Sequence, residues 1–208
     1  MGLIGKLISK LTGSKTPHRP HFDTIEAWQA AGSPMPPPHI VKQGVIKDVQ
    51  KETGITVLVE TGTNLGAMVE AQKSRFEKVY SIELADVLYE RAVERFKQDA
   101  NVEIVHGDSS IMLPKVIQSI DQRIIFWLDG HYSGGETAKG AKDCPVYEEL
   151  DAIFNDNAES HVILIDDARL FGQRSDYPSI EDLRTYLKGK SPDYSLEVKD
   201  DVIRCMPS

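Results

Sequence analysis

The sequence has too few of the residues that would build a disulfide framework, a zinc site or a membrane span. Only two cysteines occur, Cys144 and Cys205, and their separation matches no zinc-ligand spacing and no disulfide framework. No apolar run approaches the length that crosses a bilayer, and nothing resembles a cleavable signal. We therefore predict a soluble, cytoplasmic protein in a reducing compartment.

Positive charge is also scarce. The chain has 24 basic residues against 32 acidic ones, which gives a net charge of −8. Such a chain repels phosphate backbones, so we predict that nucleic acid is not a partner. The first twenty residues are the exception, because their charged side chains are all basic (Lys6, Lys10, Lys15 and Arg19).

The chain is long enough for one domain with a short appendage. Of its 208 residues, 40% are apolar, which is enough to build a core. We predict three parts: a basic amphipathic helix and linker over 1–21, a helical and proline-rich segment over 22–55, and the core over 56–208. The apolar face of the first helix (Leu3, Ile4, Leu7, Ile8 and Leu11) suits an anionic membrane surface or packing on the chain itself or on a second copy, and we favour packing.

From residue 56 onward, apolar strands alternate with amphipathic helices. The predicted strands span 56–59, 78–82, 102–105, 123–128 and 161–165. Two further strands, 194–198 and 202–206, flank Asp200 and Asp201 and are typical of a hairpin. The pattern predicts an α/β fold: a Rossmann-like, doubly wound, mostly parallel seven-stranded sheet with a C-terminal antiparallel hairpin.

The stretch Val-Leu-Val-Glu-Thr-Gly-Thr-Asn-Leu-Gly over 57–66 is predicted to be a strand, a tight turn and the start of a helix. Gly62 and Gly66 would let the backbone approach a ligand, and the helix N-terminus would offer free amides. Glu60, predicted at the strand end, repels phosphate but suits hydroxyls, an amine or a positive charge. The stretch therefore favours a nucleoside-type ligand, although a tight turn without a ligand would have the same sequence.

Each of the five predicted parallel strands is followed by an acid. The acids are Glu60, Glu83, Asp108, Asp129, and the pair Asp166 and Asp167. Ligands of open α/β sheets bind beyond the carboxyl ends of the strands, so these side chains would face one site. Glu83 would accept both hydroxyls of a ribose, and Asp108, with Ser109 beside it, would accept from an adenine amino group. A single acid in such a place can equally be a helix cap or a turn residue.

These residues resemble a known family. Glu60-Thr-Gly62-Thr-Asn-Leu-Gly66, Glu83, Gly107-Asp108 and the terminal hairpin are similar to class I S-adenosylmethionine-dependent methyltransferases. The resemblance implies that S-adenosylmethionine binds with its methionine end at the first motif (Glu60, Gly62, Thr63, Asn64 and Gly66). It also implies ribose at Glu83 and adenine at Asp108 and Ser109. Asn64 departs from the family, which has a glycine there, but Asn tolerates left-handed geometry.

The second half of the chain resembles the metal-dependent O-methyltransferases that act on sugar hydroxyls of natural products. Asp129, Asp166 and Asp167 match the acids that hold a magnesium ion in that group. All-oxygen ligands suit Mg²⁺ or another hard divalent cation. His131 lies where the group often has a base. The resemblance implies metal-assisted O-methylation of a hydroxylated small molecule or sugar, with His131 and Asp129 as the catalytic residues.

Three other functions compete with this interpretation. A nicotinamide-dependent dehydrogenase would need Gly-x-Gly-x-x-Gly after the first strand, which the sequence lacks. A non-catalytic cofactor-binding or scaffold module would not need the strand-end acids. An aminopropyltransferase-like enzyme would use a related sulfonium cofactor and the same acids to bind a polyamine, without a metal.

Overall fold

The structure is a computed structural model, and it describes residues 21–130, 144–155 and 160–208. The predicted N-terminal amphipathic helix and His131 lie outside the described residues. Within the described ranges, no helix is both long and apolar enough to cross a membrane.

Seven strands form one sheet in the described part of the chain, in the order β3-β2-β1-β4-β5-β7-β6. The first five strands run parallel, and β7 joins β5 and β6 in antiparallel register. The sheet confirms the predicted fold class, including the terminal hairpin. The strands are β1 Val57–Thr61, β2 Lys78–Glu83, β3 Val102–His106, β4 Ile124–Leu128, β5 Val162–Ile165, β6 Tyr194–Lys199 and β7 Val202–Pro207.

Helices cover both faces of the sheet. Ser179 begins the last helix with a capping box to Asp182, and Gly54 ends the second in left-handed geometry. The helices are α1 Ile25–Ala30, α2 His39–Thr53, α3 Ala67–Gln72, α4 Asp86–Phe96, α5 Ser109–Ile117, α6 Val146–Phe154 and α7 Ile180–Lys190, with a 3₁₀ turn at Ala168–Leu170.

The core consists of two apolar layers, one on each side of the sheet. Helices α5, α6 and α7 pack on one face, and α2, α3 and α4 pack on the other. Every residue of β1, β4 and β5 is buried, which explains why these strands are almost continuously apolar in sequence.

Helix α4 buries a narrower stripe than its sequence predicts. Leu88, Ala92 and Phe96 are buried, as expected for residues four apart on one helical face. Val87 and Val93 continue the apolar pattern of the helix, which predicts that they are buried as well, but 53% and 42% of their surfaces are exposed. The helix touches the sheet along a single row of side chains, and these two valines lie beside that row.

Candidate cofactor and acceptor site

The parallel sheet places the predicted acids along a single edge. Across the strands β3, β2, β1, β4 and β5, the order is Asp108, Glu83, Glu60, Asp129 and then the pair Asp166 and Asp167. This order follows from the strand order, because all five carboxyl ends point the same way. The acids predicted separately from five strand ends therefore belong to one rim.

The turn after β1 is held close to β4. Gly62 has φ +86, and a Cβ placed on it would lie 2.4 Å from the carbonyl oxygen of Asp129. Asn64 adopts the left-handed conformation expected of it, with φ +50, and Gly66 follows with φ +73. The turn thus keeps a glycine-like backbone although Asn64 replaces a glycine.

Glu60 is buried inside β1 rather than placed after it, because β1 extends to Thr61. The Ser81 hydroxyl donates to Glu60 Oε2, and the Thr63 and Ser81 hydroxyls lie 2.7 Å apart. Burial raises the pKa of Glu60 to about 8, against the opposing effect of the Ser81 hydrogen bond. Glu60 is therefore mostly protonated at neutral pH, and a cationic ligand beside it would favour its ionised form.

This burial predicts a pH dependence of stability. Unfolded Glu60 ionises near pH 4.5, whereas folded Glu60 keeps its proton to about pH 8, so the wild type loses stability as pH rises between these values. Glu60→Gln has no such ionisation. Its free energy of unfolding, relative to that of the wild type, should therefore rise by at least about 1 kcal/mol between pH 5 and pH 8. Urea denaturation of the ligand-free protein at both pH values measures the difference. The exposed Glu52→Gln is the control, and an unchanged difference for Glu60→Gln would contradict the assignment.

Glu83 links the turn after β1 to the end of β2. Its Oε2 accepts from the amide of Asn64 at 2.7 Å, and its Oε1 accepts from the amide of Ala85 at 2.9 Å. The side chain is buried, and each carboxylate oxygen retains a second lone pair. Glu83 is therefore a fixed acceptor at the position where a ribose was predicted.

Asp108 caps α5, as the alternative interpretation of this residue predicts. Its Oδ1 accepts from the amide and from the hydroxyl of Ser110, at 2.9 and 2.7 Å. The cap fixes the orientation of the carboxylate at the rim, and both of its hydrogen bonds go to Oδ1, so the cap does not use the second oxygen. Capping and ligand binding are compatible at this residue.

Two neighbouring acids at the end of β5 are bound by cationic side chains. Lys42 Nζ, from α2, lies 2.6 Å from Asp166 Oδ2 and 2.8 Å from Asp167 Oδ1. Arg169 Nη1 lies 2.7 Å from the same Asp167 oxygen and also pairs with Asp201, in the hairpin turn. The acid pair is therefore already neutralised in large part by the chain itself.

The pKa values of the two acids reflect these neighbours. Burial raises the pKa of Asp166 to about 6, although Lys42 acts in the opposite direction. Burial acts the same way on Asp167, but Lys42 and Arg169 together hold its pKa below the usual value. Burial lowers the pKa of Lys42, yet the two carboxylates more than offset this, and its ammonium form is favoured.

Only two of the three predicted metal ligands, Asp166 and Asp167, lie in one cluster of carboxylates. Within the described ranges, the acids whose oxygens lie within 4.8 Å of one another are Asp166, Asp167 and Asp201, and Asp129 is not in this group. Burial raises the pKa of Asp129 well above its usual range, and Asp166 raises it further. The carboxylates that approach one another are bound by Lys42 and Arg169, so they do not fit a divalent ion while these contacts last.

Comparison with known proteins gives matches among solved structures alone. No protein-family model matches the chain, and no curated protein matches it. TomG from Streptomyces achromogenes, an O-methyltransferase of tomaymycin synthesis solved with S-adenosylmethionine, is 15% identical with a TM-score of 0.60, over 88% of this chain and 86% of TomG. The O-methyltransferase of Bacillus cereus, solved with S-adenosylhomocysteine, is 14% identical with a TM-score of 0.55, over 87% of each chain.

A third match is the Podospora anserina methyltransferase PaMTH1, solved with S-adenosylhomocysteine. It is 14% identical with a TM-score of 0.57, over 88% of this chain and 87% of that one. The three alignments cover most of this chain and most of each matched chain, so they compare whole architectures. The chain has the fold of the S-adenosylmethionine-dependent O-methyltransferases. The resemblance inferred from the motifs is thus confirmed at the level of the fold.

Three residues of this O-methyltransferase fold were missed by sequence reasoning. Lys42 and Asp201 join the acid pair from α2 and from the hairpin turn. Glu149 of α6 is buried beneath Gly130, where burial raises its pKa to about 7 and the hydroxyls of Ser109 and Thr61 oppose the rise. Glu149 had a visible signal, since it interrupts the apolar helical face of Val146, Leu150 and Ile153. Lys42 and Asp201 had none, because their partners are remote in sequence.

Proposed function

We propose that the chain transfers a methyl group from S-adenosylmethionine to a hydroxyl oxygen of a small molecule or sugar. The observation that carries the proposal is the position of Glu83, a buried carboxylate tied to the Asn64 amide of the turn after β1. A carboxylate about twenty residues beyond such a turn is the usual acceptor for ribose hydroxyls in nucleoside-binding α/β folds.

The proposed cofactor site uses the rim from β1 to β3. The turn from Gly62 to Gly66, with Thr63 and Asn64, approaches the methionine end, and Glu60 lies beneath it. Glu83 accepts the ribose hydroxyls, and Asp108 with Ser109 faces the adenine. The turn can lie this close to the end of β4 only with glycine at position 62, because a side chain there would collide with the backbone of Asp129.

The acceptor lies, in this proposal, on the β4 and β5 side of the rim. The sulfonium carbon is attacked in line by the acceptor oxygen, the carbon–sulfur bond breaks, and S-adenosylhomocysteine leaves. The hydroxyl proton passes to a base, for which His131, two positions after Asp129, remains the predicted residue. Positioning of the two reactants supplies most of the acceleration.

The predicted Mg²⁺ at Asp129, Asp166 and Asp167 remains a prediction. Bound there, a divalent ion would lower the pKa of the acceptor hydroxyl. The proposed cofactor binding does not depend on this ion, because it is supported by the positions of Glu83 and of the turn after β1.

The proposal is tested by calorimetry followed by a methyl-transfer assay. We expect saturable binding of S-adenosylhomocysteine and no binding of NAD, followed by transfer of labelled methyl from S-adenosylmethionine to members of a panel of catechols and hydroxylated sugars. Binding without transfer to any hydroxyl, or transfer to amines alone, would contradict O-methyl transfer. Binding of a polyamine together with decarboxylated S-adenosylmethionine would favour the aminopropyl alternative.

A further inference from the structure

Lys42 is a largely buried lysine, and a helix outside the alternating β/α core places it at the proposed acceptor side of the rim. Its side chain is 12% exposed, and those of Asp166 and Asp167 are 3% and 21% exposed. Helix α2 fixes its backbone, because Val41, Val45, Ile46 and Val49 bury the adjacent face of the helix. The lysine therefore reaches the acid pair from a rigid base rather than from a loop.

The contacts of Lys42 use the oxygens that a divalent ion would need. Asp166 Oδ2 and Asp167 Oδ1 are the two oxygens that face its ammonium. Asp166 Oδ1 accepts from the amide of Asp167 at 2.6 Å, and Asp167 Oδ1 is shared with Arg169. An ion bridging the two facing oxygens at about 2.0–2.1 Å would occupy the space of the ammonium.

The charges of the site also indicate that Lys42 stands where a divalent ion would bind. Two adjacent carboxylates at a buried edge need positive charge, which either a metal ion or protein cations can supply. Here Lys42 and Arg169 supply it, and the backbone amides of Ala168 and Arg169 bind Asp201 and so hold the third acid in place. A divalent ion added to this arrangement would face both cations at short range.

We propose that Lys42 is the resident cation of this site and takes the place that a divalent ion would hold. The part of the inference that concerns methyl transfer rests on the proposed function. It assigns Lys42 as a positioning residue that keeps the acid pair charged and fixed beside the acceptor, and it makes the reaction independent of added metal.

The test is a titration of the full chain with Mn²⁺, followed by the electron paramagnetic resonance signal of the free ion. We expect no binding by the wild type up to about 1 mM Mn²⁺. Lys42→Met removes the ammonium and keeps an unbranched side chain; it frees Asp166 Oδ2 and leaves Asp167 Oδ1 with Arg169 alone. This variant should bind Mn²⁺ at least about tenfold more tightly than wild type. Lys42→Arg, which keeps the charge, and Lys51→Met, at an exposed position of the same helix, should behave like the wild type.

Turnover gives the second measurement. Wild-type methyl transfer should persist after treatment with EDTA. Tight Mn²⁺ binding by the wild type, or a loss of turnover with EDTA that Mn²⁺ restores, would overturn the inference and leave the proposed function intact. A folded Lys42→Met that gains no Mn²⁺ binding would also overturn it, and if that variant does not fold, the wild-type titration decides.

The two proposals fail in different ways. If S-adenosylhomocysteine does not bind, the proposed function is wrong. The Mn²⁺ titration tests the role of Lys42 without any cofactor.

Discussion

Replacing Glu83 with alanine should lower the affinity for S-adenosylhomocysteine by about 100-fold or more, as measured by calorimetry. The estimate follows from the loss of two charge-assisted hydrogen bonds to ribose, each of about 1.5–3 kcal/mol, at about 1.4 kcal/mol for each tenfold. The substitution also leaves the amides of Asn64 and Ala85 without their acceptor, which loosens the turn after β1. Both effects reduce binding of the same ligand.

Two companion variants separate the ribose contact from loss of folding. Glu83→Gln keeps the shape and one acceptor oxygen, so its affinity should fall between those of wild type and Glu83→Ala. Glu77→Ala removes an exposed acid that precedes β2, at the far end of the same strand, and should bind as wild type does. A folded Glu83→Ala with wild-type affinity would refute the ribose assignment.

The fold could be predicted because strands buried on both faces must be largely apolar, as β1, β4 and β5 are, and because such strands alternate with amphipathic helices along the chain. The hairpin could be predicted because Asp200 and Asp201 separate two alternating segments, and both adopt the positive φ that such a turn requires. The burial of individual helix residues was harder to predict than the fold. Val87 and Val93 continue the apolar pattern of α4, yet the neighbouring surface does not extend far enough to cover them.

The candidate site was predictable to the extent that it follows from strand order. A residue directly after a parallel strand lies at the rim whatever the rest of the chain does, so Glu83, Asp108 and Asp166 could be placed from sequence. Lys42 could not, because it lies 124 positions from Asp166 and meets it only through the packing of α2. Pairings of this kind are decided by tertiary structure, and they change the electrostatics of the acids that sequence alone can locate.

The proximity of β1 and β4 gives the largest expected effect on stability. Gly62→Ala should destabilise the fold by roughly 3–5 kcal/mol, because its Cβ would lie 2.4 Å from the Asp129 carbonyl oxygen at a φ of +86 that side chains rarely adopt. Chemical denaturation measures the loss, and cofactor binding should disappear with it, since relief of the collision would move the turn after β1.

Gly189 provides a matched control for this substitution. It lies in α7, and a Cβ there would meet no atom within 4 Å, so Gly189→Ala should stabilise the protein by up to about 1 kcal/mol. Opposite signs for the same chemical change would show that the cost at Gly62 comes from its contact with β4 and its backbone geometry. A Gly62→Ala variant as stable as wild type would mean that β1 and β4 end further apart. In that case the rim would lack the compact turn on which the proposed cofactor site depends.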